Sequence, residues 1–326
     1  MAHSKGNSPA ASDYNTFVGT TVITSAYASA AAATQKVAAL LGVGYGDRGY
    51  GQTTPTLNTP VATGQRILAS DWANLRTAIA NMASFQGTAT TLLPPSSDFV
   101  SGVVVKAEVP ATTAYDLPTM IANIDTNRMN NNGGASLSVT SGALTITRGS
   151  VWGSGTGAIT AEFTATFASE DAARFFFNSS GAIDVVLAHP STATTQDSNW
   201  NSILSALGTI SIGAHATTRS GSGGTPAALG YYELTGSYQT VFNGTDIGTG
   251  AYSANDVIVD ALVSSVAGVN GGNGTTVKVR VTLTDGHTNA FSDSVASGTN
   301  ASIGYKKAAS VLTGIASPTL ATVTNF

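Results

Sequence analysis

The side chains able to do chemistry are few, and they stand far apart. Histidine occurs at 3, 189, 215 and 287, and cysteine is absent. No histidine has a partner four residues away, so the helical spacing that grips zinc is missing, and the usual thiolate sites are excluded. The acidic candidates are Glu170-Asp171 and the pair Asp256 and Asp260. Two carboxylates flanking a cleft could hydrolyse a glycosidic bond. Both candidates, however, sit in turn-like surroundings where a solvated carboxylate is the ordinary outcome. The Gly/Tyr stretch 44–52 resembles a phosphate-binding loop in glycine content but lacks the Gly-Lys-Ser/Thr ending. Ser220-Gly-Ser-Gly-Gly224 is not a nucleophile elbow. We therefore expect no enzyme, no cofactor and no metal site.

Composition points the same way. Charged residues make up 10% of the chain, against roughly 25% in ordinary soluble domains. The net charge of −4, with one adjacent basic pair at Lys306-Lys307, argues against nucleic acid, whose binding needs basic patches to displace counterions. Hydrophobic residues reach 42%, too many for a disordered chain of low charge. A surface with so little charge offers little repulsion between copies, which suits permanent contacts. The Ala-rich stretch 26–39 is interrupted by Ser, Thr, Gln and Lys and is too broken for a membrane span. No secretory pattern opens the chain, so synthesis in a cytoplasm is expected.

The elements that must position these residues fall into two regions. In the first, residues 28–41 read as an Ala-rich helix ending at Gly42. A second helix starts with Ser70 as N-cap and carries Trp72, Leu75, Ile79 and Met82 in one apolar stripe, the residues expected to pack this region. Pro94-Pro95 marks a break. The reading is residues 1–95 as a helical docking or oligomerisation region and 96–326 as a β domain.

Beyond the break the periodicity is that of strands. Val103-Val104-Val105 is a short buried run. Leu137 and Val139 pair with Leu144 and Ile146 as a hairpin across Ser141-Gly142. Phe163, Ala165 and Phe167 alternate with polar residues, and so do Val277, Val279, Val281 and Leu283. Phe175-Phe176-Phe177 reads as a strand turning at Asn178–Gly181 into a second strand, Ile183–Leu187. One helix interrupts, from about Asn199 to Leu207, with Trp200, Ile203, Leu204 and Leu207 on one face. Residues 220–226 read as an exposed loop, and the tail after Ala308 as a late strand or an arm. The fold class expected is mainly β, an antiparallel β-sandwich or jelly-roll-like domain behind a small N-terminal helical domain. Asn178, Asn243 and Asn273 head glycosylation-type triplets that are equally turn chemistry, the reading preferred here. Tyr231, Tyr232 and Tyr238 are either sugar-binding aromatics or half-buried strand residues.

Several segments are familiar in combination. They are Tyr45-Gly-Asp-Arg-Gly-Tyr-Gly-Gln52, Ser70-Asp-Trp-Ala-Asn-Leu-Arg76, Phe175-Phe-Phe-Asn-Ser-Ser-Gly-Ala-Ile183, Trp200-Asn-Ser-Ile-Leu-Ser205 and Gly230-Tyr-Tyr-Glu-Leu-Thr-Gly-Ser-Tyr-Gln239. In this order they resemble a group of virion structural proteins of tailed, T4-like bacteriophages of marine bacteria. The resemblance covers about residues 36–285, and the N-terminal forty residues depart from it. It implies a non-enzymatic virion component (neck or collar, tail, fibre appendage or capsid decoration) made in the host bacterial cytoplasm. Its partners would be copies of itself, with a trimer favoured, and other virion proteins, without nucleic acid or membrane insertion. Tyr45, Arg48, Tyr50 and Gln52 are the candidate contacts between subunits. The alternative is a receptor- or carbohydrate-binding fibre domain that recognises a host-surface glycan.

Overall fold

In the helical unit, Asp71 decides where the chain first commits to structure. Its Oδ2 accepts the backbone N–H of Leu68 at 2.7 Å, so helix α2 (Ala69–Gln86) has Leu68 at its N-cap, two residues before the expected Ser70. A carboxylate is the stronger acceptor for these orphan donors and also complements the helix dipole. At the other end Gly87 turns left-handed, φ 75°, and Thr88 N–H closes on Ala83 O at 2.8 Å, a Schellman stop. The computed structural model describes residues 11–18, 60–101, 115–127, 137–138, 143–153, 157–190, 194–264, 273–286, 294–308 and 316–326. The helix expected at 28–41, the loop 44–52 and the Val103–Val105 run lie outside them.

Helix α1 (Ala11–Val18) and helix α3 (Leu117–Thr126) complete this unit with α2. Trp72, Leu75, Ile79 and Met82 are all buried, together with Tyr14, Val18, Phe99, Met120, Ile121 and Ile124. Trp72 is the hub. Its ring meets Tyr14 edge-on at 5.3 Å, Phe17 edge-on at 6.0 Å and Phe99 stacked at 6.4 Å.

The helical unit runs past the break expected at residue 95. A short 3-10 turn, Ser96–Phe99, follows Pro95 and returns Phe99 to Trp72, while Arg76 Nε donates to Pro94 O at 2.7 Å. The prolines stiffen a reversal instead of starting a linker, and α3 then packs against α2. The first compact unit comprises residues 1–133 with 310–315, and the second residues 134–309 with 316–326.

The second unit is a β-sandwich of two six-stranded antiparallel sheets. In chain order its strands are β1 (Leu137–Ser138), β2 (Leu144–Thr147), β3 (Trp152–Gly153), β4 (Ala158–Thr166), β5 (Ala182–Ala188), β6 (Thr209–Ile212) and β7 (Thr217–Arg219). There follow β8 (Thr225–Pro226), β9 (Gln239–Gly244), β10 (Asp256–Ser264), β11 (Thr276–Thr284), β12 (Ser294–Val295), β13 (Asn300–Ala308) and β14 (Thr319–Thr324). One sheet runs β1-β13-β5-β6-β7, with β2 also on β13; the other runs β14-β4-β11-β10-β9-β8, and β3 pairs with β12 apart from both.

The strict alternation of β4 and β11 produces this core. Phe163, Val279 and Ala261 lie in register across three strands, as do Ala161, Val281 and Val259, and all six are buried. Ile303, Val185 and Ile210 do the same in the other sheet. The C-terminal tail resolves as a strand, because β14 adds to the edge of β4. The loop expected at 220–226 ends in β8, a two-residue edge strand.

Among the described residues neither hairpin expected from sequence forms. The described residues of β1 and β2 pair with β13 and not with each other, while Val139 and the Ser141-Gly142 turn lie outside the described residues. Phe175–Phe177 is helical, within α4 (Glu170–Asn178). Ser169 caps this helix by accepting Ala172 N–H at 3.1 Å, and the Ser179 hydroxyl donates to Phe175 O and Phe176 O at its end. Residues 172–177 are all buried, as a helix embedded in a core requires. Aromatic content suggests a strand there, but the two serine caps and burial on every side override it. Phe176 touches Phe167 at 5.1 Å and Tyr305 of β13 at 6.2 Å, so the helix links the two sheets.

Candidate functional site

Helix α5 (Thr195–Leu207) starts earlier than the expected Asn199, because Thr194 accepts Asp197 N–H at 3.0 Å and caps it. That cap seats a carboxylate, Asp197, in the first turn, where the helix dipole favours it. The opposite end of the helix presents Trp200, Ile203, Leu204 and Leu207 to the core, with Trp200 on Trp152 at 5.0 Å.

Around Asp197 the fold gathers a line of buried polar groups that no sequence spacing reveals. Trp152 Nε1 donates to Thr299 Oγ1 at 2.9 Å; Thr299 Oγ1 stands 2.9 Å from His189 Nδ1; His189 Nε2 stands 3.1 Å from Asp197 Oδ1. An ionised carboxylate can only accept, so Nε2 carries the imidazole proton toward Asp197, and Nδ1 is left to accept the Thr299 hydroxyl proton while Thr299 Oγ1 accepts the indole N–H. Ala296 N–H gives Asp197 Oδ1 a second donor at 2.8 Å, and Asn201 Nδ2 holds the His189 carbonyl at 2.6 Å. Next to this line, Gln196 Nε2 donates to Asp285 Oδ2 at 2.8 Å, close against Gly153. A Cβ at Gly153 would stand 2.5 Å from that carboxylate oxygen, and φ of +77° there also favours glycine.

Hydroxyl, imidazole and carboxylate in this order match the groups of a nucleophilic relay. The environment sets a different task. Thr299 is 0% exposed, His189 3% and Asp197 1%, so no substrate atom reaches the hydroxyl. The line ties α5 to β3, to the end of β5 and to the turn before β13. Burial pushes the His189 imidazole below its ordinary pKa of 6.5, with the Asp197 hydrogen bond and charge pulling the other way.

A pH dependence follows. Unfolded histidine takes up a proton below pH 6.5 while folded His189 resists, so the unfolded state binds more protons there. This contribution is complete above that pH and is lost as the pH falls from 6.5 toward the lower folded value. Urea midpoints should drop between about pH 7.5 and about pH 5.5, and His189→Gln should flatten that slope. An equal slope in the variant would assign it to other groups.

The other candidates separate. Glu170 opens α4, and Asp256 opens β10, where its Oδ1 accepts Asp246 N–H at 2.8 Å. Asp260 lies on the outer face of β10 and binds Arg280 at 2.8 Å, and Thr240 donates to its other oxygen. Arg280 covers the Tyr238 ring at 4.0 Å, and Tyr238 donates to Glu162 at 3.0 Å. His215 is exposed beside Glu233 at 2.8 Å, while His3 and His287 lie outside the described residues. Among the described residues no group of three or more His, Cys, Asp or Glu is placed to hold a metal, and no helix is long and apolar enough to cross a membrane.

The tyrosines do not form an exposed platform. Tyr231 is fully buried, stacked on Phe177 at 4.4 Å with its hydroxyl donated to Gly274 O. Tyr232 is half-buried and donates to Asn178 Oδ1, and desolvation pushes its pKa up to about 12. Asn273 donates to the carbonyls of Tyr231 and Leu234 and Asn243 closes an Asx turn, so all three asparagines work inside the fold. Tyr45, Arg48, Tyr50 and Gln52 lie outside the described residues. Comparison with protein-family profiles, with curated proteins and with solved structures finds no match to this chain.

Proposed function

We propose that the chain is a non-enzymatic structural component of a tailed-bacteriophage virion, acting through contacts with its own copies and with other virion proteins. The observation that carries this reading is a charge-poor surface over a rigid double sheet. Two ion pairs on the sheet faces are internal, Asp260 with Arg280 and Asp184 with Lys306 at 3.3 Å. The outward positions of β4, β10 and β11 mix threonines and Ile258 and Leu262 with Glu162, Asp256, Asp260, Lys278 and Arg280. The resemblance in residue order to phage virion proteins points to the particle, and the low charge of the chain points to the mode of action. The full burial of Tyr231, and the hydrogen bond that ties half-buried Tyr232 to Asn178, weigh against the glycan-binding alternative. Peptide mass spectrometry of gradient-purified particles tests the reading: the chain should be present at a fixed, multi-copy stoichiometry. Its recovery only from the soluble lysate would overturn it.

A further inference from the structure

Burial is shared unequally among the strands of the sandwich. β4, β5, β9, β10, β11 and β13, the other strands of six or more residues, each bury at least three of theirs. β14 buries none: Leu320 is half-buried, and Thr319 and Ala321 to Thr324 are exposed. Its main hold is therefore the ladder to β4, and that ladder is short. β11 meets β4 at nine successive positions without a break, whereas β14 meets it only from Thr166 to Glu162. The register slips between Thr322 and Thr324, which leaves Val323 out of the ladder and 50% exposed. Beside it lies β2, whose four residues are themselves half-buried or exposed. The firm point is at the entry to the strand, where Pro318 is buried.

We infer that β14 is a strap that leaves β4 and returns, swinging from Pro318, while the rest of the sandwich stays folded. The free energy of a local opening follows the contacts that the opening breaks. Lifting β14 costs little apolar burial of its own side chains, and each ladder bond is exchanged for bonds to water, a small net loss. β4 does not follow. Its Ile159, Ala161, Phe163 and Ala165 are buried, and β11 holds its other side along the whole length. In the open form the N–H and C=O groups of β4 that face β14 between Glu162 and Thr166 are bare. The same fold thus has a covered and an uncovered sheet edge.

The test is residue-resolved amide hydrogen exchange on the full chain, with an engineered disulfide as the lock. The chain has no cysteine of its own to interfere. Ala321 and Thr164 are register partners outside the core, and antiparallel partners stand about 4.5–5.5 Å apart at Cα, within disulfide reach. In the unaltered chain, the β14 amides that bond to β4 should exchange at least about a hundredfold faster than the central amides of β11, at a rate that low urea leaves unchanged. In the double variant Ala321→Cys with Thr164→Cys, oxidation should slow those β14 amides at least about tenfold, and reduction should restore them. The β11 amides should stay protected in both forms, which shows the variant folded. Exchange in β14 as slow as in β11 would overturn the strap. So would fast exchange that the disulfide leaves unchanged, and so would thiols that fail to pair, because the register brings them together.

Discussion

Replacing Trp72 with alanine is expected to cost the helical unit about 3–5 kcal/mol, the range for emptying a large buried aromatic site. Trp72 is 3% exposed and is the residue on which two separate segments converge. Tyr14 and Phe17 come from α1, and Phe99 returns after Pro94-Pro95. Removing the ring leaves Tyr14, Phe17 and Phe99 facing a void. Loss on this scale should lower the unit's unfolding midpoint by more than about 10 °C. The other two tryptophans, Trp152 and Trp200, belong to the sandwich. In the variant, fluorescence therefore reports the sandwich and circular dichroism reports both units. An early loss of helix signal with an unmoved fluorescence transition is the expected result. A single unmoved transition would show that Trp72 does not hold the unit together. Trp72→Phe, which keeps a ring in the same place, should cost clearly less.

The second large effect is expected at Asp197. Asp197→Ala leaves the buried His189 Nε2–H and the half-buried Ala296 N–H facing an apolar methyl. Leaving the buried neutral imidazole donor unpaired costs about 1–3 kcal/mol, with a further loss at the half-buried Ala296 N–H. Asp197→Asn keeps an oxygen where the two donors converge and should recover most of this loss. Chemical denaturation of the three proteins at neutral pH checks the ranking. Equal losses in Ala and Asn would mean that the negative charge matters more than the acceptor geometry. A negligible loss in Ala would show that the buried line adds nothing to the sandwich.

The legible part of this fold is its regular part. Trp72, Leu75, Ile79 and Met82 announce α2 because helical spacing has one physical cause, burial of one face. Val277 to Leu283 announce β11 for the same reason at the other period. Local competition explains the failures. Phe175–Phe177 carries the composition of a strand, but two serines, at 169 and 179, satisfy the ends of a helix that the core encloses. Pro94-Pro95 looks like a linker, yet its partner is Phe99, four residues on, and Trp72 before it. The buried line around His189 was not legible, because its members come from positions 152, 189, 197 and 299 and only tertiary folding brings them together. One signal was available: Thr194 and Asp197, three residues apart, form a capping pattern that places the helix start and its carboxylate. β14 is uncharged in sequence, but its position at a sheet edge is a property of topology.

The measurement that tests the central claim most directly is immunogold labelling of purified phage particles with an antibody raised against residues 101–326. The account predicts gold at one discrete place on the particle, whether neck, tail, fibre or capsid. Unlabelled particles, from preparations in which the same antibody detects the chain in the infected-cell lysate, would contradict it.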